Sequence, residues 1–243
     1  MGKDKEITIL DQIQSLNDSV GQTKDLSHLF SIAIDANLGG YCLSSSLGQE
    51  DQVLTDYIFR NNLSIDVFTL DTGRLFQETY DVLSSTQKKY NKPIQSYFPN
   101  YKEVEELVSD QGINGFYDSI DNRKDCCFVR KIKPLQRALR PYSVWITGLR
   151  SEQSTNRSGF TVFEYDSQFE IIKFNPLLHW TYQEVLNYLD SFNVPQNNLH
   201  QQGYISIGCA PCTRAITQGE DPRAGRWWWE SSQKECGLHK TKN

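Results

Sequence analysis

The sequence predicts an α/β fold: a mainly parallel sheet with helices on both faces. Three observations carry this. Short apolar runs alternate with stretches of helical period. Two of the runs end in turns built from Ser, Gly and Asp, the place where open α/β sheets bind ligands. A chain of 243 residues, 38% hydrophobic and 23% charged, is long enough for one sizeable core.

The elements follow in order. Residues 1 to 35 read as helical, with Ile9, Ile13 and Leu16 at helical spacing. Tyr41 to Ser45 reads as a buried strand, followed by a Ser/Gly turn and a helix marked by Val53, Leu54, Tyr57 and Ile58. "SIDVFTLDTG" is a second strand ending at Asp71, Leu75 to Tyr90 a helix, and "PIQSYFP" a third strand between prolines. "YKEVEELVSD" is a helix and "YSVWITGL" a fourth strand. "TYQEVLNYLDSF" is a helix opened by a capping box of Thr181 and Glu184, with Tyr182, Val185, Leu186 and Leu189 as its apolar stripe. After Pro195 the chain reads as loop-rich. There are no repeats and no low-complexity linker. The expected organisation is a single domain over 1–243, with an α/β core over about 36–230 and a C-terminal tail over 231–243.

Composition narrows the function. No apolar run approaches the roughly 20 residues of a membrane span. The opening MGKDKEITIL lacks the apolar core of a signal peptide, so a cytoplasmic setting is expected and no membrane partner. Thiols stay reduced there, so the six cysteines point to metal ligation or catalysis before disulfides. A net charge of −5 argues against broad nucleic-acid binding. The charge is uneven, however. Eight basic residues (Arg123, Lys124, Arg130, Lys131, Lys133, Arg137, Arg140, Arg150) share one stretch with the single acid Asp125. Arg214, Arg223 and Arg226 form a second group. The two readings are a solvated basic face and a local anion site in an acidic protein.

The turn "SSSLG" follows the first strand. Ser44, Ser45 and Ser46 offer hydroxyls there, Gly48 lets the backbone approach a ligand, and the next helix presents free N–H groups to an anion. A P-loop is excluded, because its lysine and spacing are missing. The turn resembles the modified loop of the adenine nucleotide α-hydrolase-like superfamily; a plain helix cap is the alternative. "LDTGR" ends the second strand, where Leu70, Asp71 and Gly73 either hold base and ribose or simply turn the chain.

Cys126 and Cys127 are adjacent, and Cys209 and Cys212 form a C-x-x-C pair. A disulfide between neighbours is disfavoured, since their Cα atoms lie only about 3.8 Å apart. Four thiolates satisfy either tetrahedral zinc or an iron–sulfur cluster. Adjacent thiolates crowd a single ion, and a cuboidal cluster with separate iron corners tolerates them better. Lys131 lies within helical reach of Cys127 and would bring positive charge. Cys42, in the first strand, reads as a small buried hydrophobe. Cys236, in "KECGLHK", reads as an exposed, mobile thiol, with Lys234, His239 and Lys240 favouring its thiolate. The tryptophans of "RWWWE" read as packing in preference to a stacking platform, and Arg226 as functional.

The stretches "SSSLGQEDQVL", "LDTGR", "CCFVRKIKPL", "WITGLRSEQS", "IGCAPCTR", "AGRWWWE" and "KECGLH" together resemble the assimilatory sulfonucleotide reductases, in the iron–sulfur branch that reduces adenosine 5′-phosphosulfate. They run from about residue 40 to 239. The resemblance implies one [4Fe-4S] cluster per chain on Cys126, Cys127, Cys209 and Cys212, and Cys236 as nucleophile. Cys236 would take the sulfonate as S-sulfocysteine with release of AMP, and thioredoxin or glutaredoxin would then release sulfite. It further implies Ser44, Ser45, Ser46 and Gly48 around the nucleotide, with Leu70, Asp71, Gly73 and Gly148 near it. Arg130, Lys131, Arg157, Arg223 and Arg226 would meet the phosphosulfate, and His239 would close with the tail. Arg214 would stand as an outer charge. Three rivals remain: reduction of the 3′-phosphorylated substrate, an ATP-dependent tRNA sulfurtransferase, and a non-enzymatic metal-binding module. The sequence leaves oligomeric state open, a homo-oligomer included.

Overall fold

The computed structural model describes residues 3–153 and 159–230, with the side chains of the first helix described from residue 8. In chain order the elements are α1 (Lys3–Val20), α2 (Leu26–Asp35), β1 (Tyr41–Ser44), α3 (Gln49–Arg60), β2 (Asp66–Leu70), α4 (Gln77–Tyr90), β3 (Gln95–Tyr97) and α5 (Tyr101–Gln111). There follow α6 (Ile120–Cys127), a π-helical turn (Phe128–Ile132), α7 (Lys133–Leu139), β4 (Val144–Ile146), β5 (Phe163–Asp166), β6 (Ile171–Phe174) and α8 (Tyr182–Ser191). Short 3₁₀ turns supply the rest of the described elements, and among the described residues nothing longer forms after Pro195. No helix among the described residues is long and apolar enough to cross a membrane.

Grouped by internal contacts, the chain makes two compact units. The first draws on Met1–Ser45, Gln49–Val67 and Pro141–Val194. Its strands β1, β4 and β6 pair in parallel, and β5 adds antiparallel to β6. All three residues of β4 are buried, as are Cys42 and Leu43 of β1, the pattern of strands covered on both faces. Phe163 and Phe174 are paired across β5 and β6 and stack with centroids 4.7 Å apart; Phe30 of α2 meets Phe174 edge-on at 5.3 Å. The second unit draws on Ser46–Gly48, Phe68–Arg140 and Pro195–Asn243, and pairs the end of β2 in parallel with β3.

The fold class stands as expected, and four details change. The helix read over 1–35 is two helices: Gly21 takes a left-handed φ of +53°, and Asp25 opens α2 by accepting from the Ser27 N–H at 2.8 Å. The β5–β6 hairpin is additional to the expected strands. Its turn is held by Asp166, whose Oδ1 accepts from Gln168 and Phe169 N–H. The third strand shrinks to three residues. The segment from α6 to α7 is helical and carries a π turn, because Pro134 has no N–H to continue the α ladder. In α8 the capping box forms: Thr181 Oγ1 accepts from Glu184 N–H at 3.2 Å and Glu184 Oε2 accepts from Thr181 N–H at 2.6 Å. Val185 and Leu189 are its buried stripe, while Tyr182 and Leu186 are half-buried.

Candidate functional site

The four cysteines of the two motifs come together in the second unit. Cys126 and Cys127 close α6, whose start is capped by Ser119 accepting from Asn122 N–H at 3.0 Å. Cys209 and Cys212 bracket a 3₁₀ turn through Pro211, closed by Cys212 N–H donating to Cys209 O at 3.0 Å. Thr213 tightens the same turn by donating its hydroxyl to Cys209 O at 2.9 Å, and Ala210 N–H ties it to Arg74 O at 2.8 Å. All four cysteines line one open cavity, together with Arg74, Phe116, Arg123, Arg130, Lys131, Pro211, Arg226 and Trp227. No three His, Cys, Asp or Glu side chains among the described residues converge on a single metal ion.

The cavity is electropositive. Arg130 is buried, donates Nη1 to Thr72 O at 2.8 Å, and has an Nε without a partner. Arg226 is buried too, with its guanidinium 4.8 Å from the Trp227 ring and its Nε likewise without a partner. Gly208 makes this possible, because a Cβ there would collide with that guanidinium. The indole Nε1 atoms of Trp227 and Trp229 are also buried without an acceptor. Burial pushes the Cys126 thiol up, against the pull of Arg130. Burial, with Cys209 and Cys127 beside it, pushes Cys212 up to about 12. Burial acts the same way on Cys209, but Lys131, the Thr72 hydroxyl 3.2 Å away, Arg226 and Arg130 outweigh it and bring that thiol below its ordinary value.

One buried ion pair frames the cavity. Arg123 of α6 makes a bidentate bond to Glu230, 2.8 Å for each arm, with side chains only 7% and 3% exposed. Its guanidinium also lies 4.7 Å from the Trp227 ring. Trp227, Phe116 and Cys212 form a small core against which Cys126, Cys209 and Trp229 pack. The tryptophans therefore pack, as expected, with Trp228 the exposed one of the three.

The basic run divides. Arg123, Arg130 and Lys131 line the cavity, while Lys124 pairs with Asp121, Lys133 with Glu103 and Arg150 with Glu50. Arg137 donates to the Phe98 carbonyl. Arg214 is no outer charge of this cavity: its fork is spent on Glu220 at 2.8 Å on the surface. Arg223 is half-buried, with its N–H on Asp221 Oδ1 at 2.7 Å. Arg157, Cys236 and His239 lie outside the described residues, as do Lys234 and Lys240.

The nucleotide candidates are placed as follows. In the first unit, Ser44 ends β1 half-buried with its Oγ accepting from Trp145 Nε1 at 2.6 Å, and Ser45 is buried. Gly148, after β4, has no room for a Cβ against Asp51 and Glu50, so close packing alone demands glycine there. Glu50 itself is held by Arg150 at 2.9 Å and Gln153 at 3.0 Å. In the second unit, the exposed Ser46 accepts from Gly48 N–H at 3.3 Å. Leu70 ends β2 half-buried, and Asp71 accepts from Gly73 N–H at 2.8 Å and from Tyr80 OH at 2.9 Å. Gly73 needs its freedom, with φ +72°. Cys42 is fully buried, as expected, and burial raises its thiol. Thr72, Arg74 and Phe116 join the cysteine site beyond the expected residues; Thr72 sits inside "LDTGR", and Arg74 ends it.

The chain matches a family model described as the phosphoadenosine phosphosulfate reductase domain, over residues 40–215. A protein of Allochromatium vinosum named adenosine 5′-phosphosulfate reductase is 50% identical over 204 residues, 84% of this chain and 80% of that one. One of the same name from Sinorhizobium fredii strain USDA 257 is 47% identical over 230 residues, 94% of this chain and 90% of that one. Among solved structures, phosphoadenylyl-sulfate reductase of Candida auris superposes with a TM-score of 0.71 at 26% identity, covering 84% of this chain and 96% of that one. Yeast FAD synthetase, at 13% identity and a TM-score of 0.51 over 88% of this chain and 70% of that one, shares the fold. The family match takes in most of the chain, and on it the chain belongs to the phosphoadenosine phosphosulfate reductase domain family.

Proposed function

We propose that this protein reduces adenosine 5′-phosphosulfate to sulfite and AMP in sulfate assimilation, with thioredoxin or glutaredoxin as reductant. The observation that carries the reading is the gathering of Cys126, Cys127, Cys209 and Cys212 on one cavity with Arg130, Lys131 and Arg226. The relatives at 50% and 47% identity carry the name of the unphosphorylated substrate.

Those four cysteines would hold a [4Fe-4S] cluster, one per chain. Four thiols supply its ligands, and the buried N–H groups of Arg130, Arg226 and Trp227 that lack acceptors suit an anionic, sulfur-rich group. When bound, such a cluster would supply a fixed charge. Cys126, Cys127, Cys209 and Cys212 would then be occupied as ligands, and the chemistry would fall to Cys236. The Cys236 thiolate attacks the substrate's sulfur, the S–O bond to the phosphate breaks, and AMP leaves with the electron pair. A reductant thiolate then attacks the Cys236 sulfur and expels sulfite. Its second thiol resolves the mixed disulfide, so the dithiol supplies both electrons. A thiolate meeting a sulfonate is a like-charge encounter, which Lys131, Arg130, Arg226, Arg223 and Arg157 offset. Ser44, Ser45, Ser46, Gly48, Leu70, Asp71, Gly73 and Gly148 are the residues proposed to contact the nucleotide, and His239 is proposed to act with Cys236.

Reduction of the 3′-phosphorylated substrate is the second reading, favoured by the name of the Candida auris structure. Measuring kcat/KM for both substrates decides. The unphosphorylated one is expected to be preferred. Preference for the 3′-phosphate form by more than about tenfold, roughly 1.4 kcal/mol, contradicts the proposal.

A further inference from the structure

We infer that Trp145 is a positioning residue that sets the Ser44 hydroxyl as a hydrogen-bond donor toward the bound nucleotide; this rests on the proposed nucleotide role of the turn after β1. The register places Trp145 of β4 directly opposite Cys42 of β1, so Ser44, two residues on, is its diagonal neighbour on the same face. The indole Nε1 reaches Ser44 Oγ at 2.6 Å. An indole nitrogen only donates, whereas a hydroxyl has one hydrogen and two lone pairs. The serine must therefore accept from Trp145. Among the described residues no other partner takes its hydrogen, which is left for an acceptor outside the fold: an oxygen or ring nitrogen of a nucleotide.

The indole is fixed in turn. Trp145 is 1% exposed, and the next residue along the register, Lys173 of β6, holds its ammonium 5.4 Å from the ring centroid. A lysine this buried is costly unless paired, and Asp166 answers it at 3.5 Å. Phe169 meets the indole edge-on at 5.4 Å. The cation and ring contacts flank an indole whose N–H lies on the serine. A packing role alone would be met by any large aromatic and would not need that N–H.

The test is a double-mutant cycle on the full-length protein, with AMP affinity measured by calorimetry. Ser44→Ala should weaken AMP about three- to tenfold, the range for one neutral hydrogen bond. Trp145→Phe should weaken it by a similar factor. Trp145→Phe added to Ser44→Ala should cost nothing further. If the two losses multiply, Trp145 acts by packing and the inference is overturned. AMP binding that is absent, or unaltered by Ser44→Ala, removes the turn as a nucleotide site and the inference with it. Site-specific benzothienylalanine at position 145 keeps the shape and replaces N–H by sulfur. It should reproduce the loss even if Trp145→Phe folds poorly, and unchanged affinity in that protein overturns the inference.

Discussion

The two units treat buried charge in opposite ways. In the first, buried cations are matched within the chain: Arg150 by Glu50 and Glu152, Lys173 by Asp166. In the second, Arg123 is matched by Glu230, yet Arg130 and Arg226 stay buried with Nε atoms unsatisfied around four thiols. Unmatched buried donors are expensive, since each loses its water without regaining a bond. A fold keeps them where a ligand repays the cost. The first unit's buried charges are thus spent within the chain, and the proposed function gives Arg130 and Arg226 of the second unit an anionic group to meet.

That contrast can be broken by substitution. The largest effect is expected from Cys212→Ser, which should release iron and abolish sulfite formation together, read by iron analysis and visible absorbance. One zinc and no iron in freshly made wild-type protein would contradict it. Next, Glu230→Gln strands a buried guanidinium and should cost about 3–5 kcal/mol of stability, lowering Tm by on the order of 10 °C. Arg226→Met should behave differently. It should lower kcat/KM by about 10²- to 10³-fold through lost charge stabilisation while leaving Tm nearly unchanged. A large fall in Tm would make Arg226 a structural charge like those of the first unit. The smallest effect should come from Glu50→Gln, about 1–3 kcal/mol in denaturant unfolding with iron content unaltered, because Arg150 retains Glu152.

Much of this was legible beforehand, for identifiable reasons. Strands β1, β2 and β4 announce themselves as apolar runs ending in turns, and α8 by its capping box. The break at Gly21 is hidden in the sequence, because flanking helical periodicity masks a single left-handed residue. β5 and β6 are four residues each, too short for their alternation to stand out. The α6–α7 stretch is so rich in Arg and Lys that it shows little apolar period, and its π turn depends on Pro134. In the site, cysteine spacing pointed to one shared centre. Which three of eight basic residues face it depends on tertiary packing: Lys133 and Arg150 were drawn off by carboxylates distant in sequence, Glu103 and Glu50. The Gly208–Arg226 contact is of the same kind, since nothing local pairs a glycine with a guanidinium 18 positions on.

The reaction itself is tested most directly by weighing the protein after incubation with adenosine 5′-phosphosulfate and no reductant. The account predicts a gain of one sulfonate, localised by peptide mapping to Cys236 and absent from Cys236→Ser, whose iron content stays normal. Sulfonate on one of Cys126, Cys127, Cys209 or Cys212, or a Cys236→Ser protein that still forms sulfite, would contradict it.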